Sequence, residues 1–142
     1  MAHDPDFSRR SDERTDAREQ TVIVLYEAEQ RSVTAPEILA EGGIASEELT
    51  TSLVTGVHAQ KQEIDELIVA YAKGWSLERM PSLDRAILRL AIYELKSRPE
   101  VPIAVVIDEA VELAKRFSTD DSGRFVNGVL SAVAQNVRTA EG

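Results

Sequence analysis

Apolar residues recur every three to four positions along most of the chain, the period of helices that bury one face. The first such run begins near Asp16: Ala17, Val24, Leu25 and Ala28 share a face, Val22 and Ile23 widen it, and the pattern lapses near Gln30. Thr34, Ala35, Pro36 and Glu37 combine a capping hydroxyl, an early proline and a glutamate three residues on. They predict a short helix stopped by Gly42-Gly43. Ser46 ahead of Glu47 and Glu48 predicts another start, because carboxylates in a first turn oppose the positive end of the helix dipole. From there Leu49, Leu53, Val57, Gln60, Ile64, Leu67, Ile68 and Tyr71 fall on one face, as one long helix or as two broken near Gln62.

A loop around Gly74-Trp75 leads to Met80-Pro81, with proline suited to a first turn. The helix that follows is the most apolar of the chain, with Leu83, Ile87, Leu88, Ala91, Ile92 and Leu95 in its stripe, which predicts a central position. Pro99 and Pro102 bracket a turn before Ile103, Val106, Ile107, Ala110, Ala114 and Phe117. The β-branched run from Ile103 to Ile107 continues in register into that stripe, so it reads as helix. Ser118, Thr119, Asp120 and Asp121 supply a capping box for a last helix that buries Val126, Val129, Leu130, Val133 and Val137. The fold class is therefore all-α: a compact bundle of six or seven helices joined by short loops. Residues 1–15, which mix aspartates, Glu13 and arginines with almost nothing apolar, read as a flexible arm. Residues 16–142 read as a single helical domain.

Composition narrows the function. There are no cysteines, which removes disulfides, thiolate metal sites and cysteine nucleophiles. No apolar run reaches the roughly 18 to 20 residues of a membrane span, and the first residues lack the apolar segment of a signal peptide, so a cytoplasmic location is expected. A net charge of -9 opposes coating of nucleic acid by bulk electrostatics but leaves room for a local basic patch. His3 and His58 lie far apart without metal-ligand spacing, and Asp108 and Glu112, four apart, read as a solvated face on which Glu112 pairs with Arg116. With no phosphate-cradling glycine loop and no nucleophile elbow, neither a catalytic residue nor a cofactor or metal is expected.

Three features stand out from ordinary helix surface. Gly128, inside the last helical pattern, costs about 1 kcal/mol relative to alanine, which calls for the close approach of a neighbouring helix or of a partner backbone. Arg124 and Phe125 fall in the first turn of that helix beside Asp121 and Ser122, where ring stacking, arginine and backbone amides can grip single-stranded RNA; a core phenylalanine is the plainer alternative. Arg14 and Arg18, one turn apart after Arg9 and Arg10, form a strip suited to a phosphate backbone or, equally, a solvated arm.

Longer segments carry a resemblance. Residues 74–95 (GWSLERMPSLDRAILRLAIYEL), Val101-Pro102 followed by residues 107–115 (IDEAVELAK), and residues 125–130 (FVNGVL) closely resemble the NusB transcription antitermination family in order and spacing. The amino-terminal half resembles it more loosely, through Ala17-Arg18-Glu19, Leu25-Tyr26 and Gly56-Val57. The resemblance implies about seven helices in two packed sub-bundles. It implies a transcription antitermination factor that binds the boxA element of ribosomal RNA transcripts together with NusE, a small-subunit ribosomal protein. That complex acts on RNA polymerase and supports rRNA synthesis and maturation. By position, the resemblance implies RNA contacts at Arg14, Arg18, Ser122, Arg124 and Phe125, and protein-partner contacts at Tyr26, Asp84 and Asp121. Family members often run several arginines consecutively at the start of helix one. Here Thr15 and Asp16 separate Arg14 from Arg18, so weaker RNA affinity without NusE is expected. A helical interaction or dimerisation module with little RNA binding is the alternative, with the chain a monomer or a homodimer. An enzyme fragment, suggested by similar domains fused to rRNA cytosine methyltransferases, ranks last.

Overall fold

The computed structural model describes the backbone of residues 5–42 and 47–138, and side chains from residue 13 onward within that span. Among the described residues seven α-helices run in order: α1 (Pro5–Arg31), α2 (Ala35–Ala40), α3 (Glu48–Ala59), α4 (Lys61–Tyr71), α5 (Ser82–Ser97), α6 (Ile103–Phe117) and α7 (Asp120–Val137). A single 3₁₀ turn, Leu77–Arg79, precedes α5, and no strand occurs among the described residues. No described helix is long and apolar enough to cross a membrane. Helix α1 begins at Pro5, well ahead of Asp16, because its first turns carry polar residues that periodicity cannot register.

Local signals set most boundaries. Thr34 and Glu37 form the expected capping box: the Glu37 amide donates to the Thr34 hydroxyl at 3.3 Å and the Thr34 amide to the Glu37 carboxylate at 2.6 Å. Helix α2 ends at Gly42, whose φ of +73° is open to glycine without strain. The expected cap Ser46 lies outside the described residues. Helices α3 and α4 are separate, breaking at Gln60, two residues ahead of the expected Gln62. At α7 only half of the expected box forms: the Thr119 hydroxyl accepts from the Ser122 amide at 3.0 Å, but the third helical position is Ser122, which has no carboxylate to reach back.

Helices α1, α2 and α3 pack on one another around Val24, Ala28, Ala35, Ile38 and Val54. Helices α4, α5, α6 and α7 form the second sub-bundle, and α5 also packs on α1 and α3, so one larger core joins the two. The central place expected for α5 is what the structure has: every residue from Asp84 to Leu95 is buried. A helix buried all round must neutralise its charged residues internally. Arg89 is held bidentately by Asp65 of α4 at 2.8 and 3.1 Å and reaches Glu29 of α1 at 3.1 Å. Arg85 also bonds Glu29, together with the Leu77 carbonyl. At the other end of α5, Arg138 donates to the carbonyls of Glu94, Leu95, Arg98 and Val101, satisfying acceptors that a helix terminus leaves open.

Candidate nucleic-acid interface

The residues expected to touch RNA fall into two groups near opposite ends of α5. Arg14 and Arg18 line a cleft of about 270 Å³ with Leu49, Leu53, Glu94 and Arg98, at the carboxy-terminal end of α5. Ser122, Arg124 and Phe125 belong to the start of α7, which packs over Asp84 at the amino-terminal end of α5. Asp84 and Arg98 lie fourteen positions apart, which corresponds to about 20 Å of helix axis.

Within the first group the two arginines differ in kind. Arg14 is exposed, whereas Arg18 is only 5% exposed. Its guanidinium grips Glu94 bidentately, 2.9 Å for each bond, and reaches Glu109 of α6 at 3.2 Å. Thr15 adds a hydrogen bond to the same Glu109 at 2.7 Å. Burial disfavours the cation, but the bonds and charge of Glu94, followed by those of Glu109, outweigh it and hold Arg18 protonated. Arg18 therefore clamps α1 to α5 and α6, and the structure leaves it no free guanidinium face for a phosphate. The sequence placed it on a strip because an arginine's partner, 76 residues away, is invisible in local pattern.

At the second group, Arg124 is exposed and ion-paired with Asp121, which is also exposed. Ser122 is buried, its hydroxyl engaged with Ser118 at 2.9 Å and Thr119 at 3.2 Å. Phe125 is half-buried, and its ring packs on that of Trp75 with centroids 5.9 Å apart and planes tilted by 57°. Phe125 is thus neither a plain core residue nor a free platform. Trp75, which the sequence placed only in a loop, is half of the aromatic pair; its signal was an isolated tryptophan beside a glycine.

The partner-facing positions also divide. Tyr26 on α1 is exposed, as is Asp121. Asp84 is 3% exposed, and burial raises its carboxyl above the usual range while hydrogen bonds from Ser122 and Ser118 pull it back. One of its oxygens, Oδ1, has no hydrogen-bond partner among the described residues. Asp84 thus braces the start of α7 from beneath, a position that an alternating face in sequence cannot distinguish from the surface.

Among the described residues nothing lies within 4 Å of where a Cβ on Gly128 would stand, so no described helix accounts for that glycine. Gly56 is the glycine that does meet close packing, directly beneath the Tyr93 ring. His58, Asp108 and Glu112 are exposed, and His3 lies outside the described residues. Arg116 pairs with Glu19 at 3.3 Å instead of Glu112, and it lies over the Phe117 ring, which is exposed and not part of the buried stripe.

These features define an all-helical module of two sub-bundles, braced by a buried ionic helix and carrying aromatic and basic side chains at its outer ends. The chain belongs to the NusB family, whose model matches residues 15–135. The transcription antitermination protein NusB of Saccharopolyspora erythraea is 54% identical over 128 residues, covering 85% of this chain and 86% of its own. That of Acidothermus cellulolyticus is 50% identical over 130 residues, covering 89% and 90%. Among solved structures, T. maritima NusB superposes with a TM-score of 0.81 at 36% identity, over 90% of this chain and 94% of its own. A crystal structure of antitermination factors NusB and NusE in complex with dsRNA gives a TM-score of 0.74 at 28% identity, over 87% and 96%.

Proposed function

We propose that this chain is a transcription antitermination factor that binds boxA RNA of ribosomal RNA transcripts jointly with NusE, within the antitermination complex on RNA polymerase. The observation that carries the reading is the match to NusB proteins along nearly the whole chain, including a fold shared with a structure containing NusB, NusE and RNA. The chemistry at the ends of α5 supports it. Arg14 supplies an exposed cation, and Arg124 and Phe125 stand in the first turns of α7, whose amino-terminal dipole favours phosphate. Ser122, buried at the cap, holds that turn in shape. Arg18 and Asp84 act from inside, fixing the elements that carry the contacts. Tyr26 and Asp121 are the exposed residues assigned to NusE.

The test is a titration of labelled boxA RNA with and without NusE. Wild type binds with NusE and more weakly without it, and Arg14→Ala and Phe125→Ala each weaken the ternary complex while leaving the helical spectrum intact. Equal binding by all three proteins removes the site assignment. No binding by wild type, together with a stable dimer by light scattering, replaces the function with a dimerisation module.

A further inference from the structure

The aromatic pair extends beyond α7. Trp75 is the only tryptophan in the chain, and it is 50% exposed. It sits on a turn that is tied down: Gly74 adopts φ +84°, and the Trp75 amide donates to the Ala72 carbonyl at 3.1 Å. One side of the indole packs on Phe125, and half of its surface is left to solvent. A large aromatic on a tied-down turn with half of its surface open loses little entropy when something stacks on it.

We propose that Trp75 is a second stacking surface for single-stranded RNA, so that one base lies on the indole while Phe125 supports it from the other side. The inference rests on the RNA-binding reading and adds to it a residue on the α4–α5 connection. The surroundings favour RNA over an apolar peptide. Lys73 and Arg79 flank Trp75 along the chain, and both are exposed, as is Arg124 on the helix that carries Phe125. The exposed acids Glu78, Asp120 and Asp121 balance these three cations in number, so the cations can reach a few phosphates while general coating is not expected. On α7, Arg124, Phe125 and Gly128 fall within one sector at 100° per residue, and the space over Gly128 is open, so a strand leaving the rings can lie close to the helix.

The experiment uses the full chain with NusE and labelled boxA RNA, reading binding by anisotropy and Trp75 by its own emission, with Trp75→Phe as the emission blank. Stacking on one aromatic predicts that Trp75→Ala weakens RNA binding about 5- to 150-fold, that Trp75→Phe stays within about threefold of wild type, and that RNA quenches the Trp75 emission. If wild type and Trp75→Ala bind RNA alike and the emission is unmoved, Trp75 is no stacking surface and the antitermination reading stands. If the emission responds to NusE alone and not to RNA, Trp75 is a protein contact and the proposal fails. If wild type fails to bind RNA even with NusE, both readings fall. Should Trp75→Ala not fold, the emission of wild type decides by itself.

Discussion

Replacing Arg18 separates a structural clamp from a surface contact. Arg18→Ala removes three hydrogen bonds, two to Glu94 and one to Glu109. It also strands the Glu94 carboxylate, 3% exposed, without the cation that makes its burial tolerable. Breaking one side of a buried ion pair costs about 3 to 5 kcal/mol, most of it the penalty of the charge left behind. A domain of this size has about 5 to 15 kcal/mol in total, so the loss is a large fraction of the whole. At about 2 to 4 °C per kcal/mol, the melting midpoint falls by roughly 6 to 20 °C. Thermal melts followed by far-ultraviolet circular dichroism measure it and urea denaturation measures the free-energy loss, with exposed Arg14→Ala as a control expected to stay within about 0.5 kcal/mol. The double variant Arg18→Met/Glu94→Met, which removes both charges and keeps apolar bulk, recovers most of the loss because no orphan charge remains. If Arg18→Ala unfolds at the wild-type midpoint yet binds boxA RNA less tightly, Arg18 is a free surface group and the clamp is refuted.

Other expectations follow from single positions. Gly56→Ala drives a methyl into the Tyr93 ring and destabilises by about 1 to 3 kcal/mol, which Tyr93→Leu in the same chain partly reverses; thermal melts of the three variants check both signs. Gly128→Ala meets nothing and stabilises α7 by up to about 1 kcal/mol, seen as a higher urea midpoint; a lower midpoint refutes the open position. Asp84, raised by burial, is bound to its proton more firmly in the folded chain than in the unfolded one. Its ionisation therefore disfavours folding as pH rises from the usual carboxylate range through the raised value. Asp84→Asn abolishes that ionisation, so its stability relative to wild type improves with rising pH; a pH-independent difference contradicts the buried carboxylate.

The amino-acid order alone determined the helices and which faces they bury, because both follow from interactions within a few residues. The Ala17 to Ala28 stripe, the Thr34 cap, the stop at Gly42 and the apolar stripe of α5 are local patterns, and folding left them where they were read. The start of α7 was legible in the same way, although Arg124 and Phe125 fall in its second turn and not in its first. Partners distant in sequence were not legible. Glu94 answers Arg18 across 76 positions, Arg138 caps α5 across 43, and Trp75 meets Phe125 across a whole sub-bundle. A charged residue written on a helix reads as surface, since water is its cheapest environment. Only the tertiary structure decides which charges have a buried counterpart, because that depends on how helices cross, and it is what moves Arg18 and Asp84 inside and brings Trp75 to the edge.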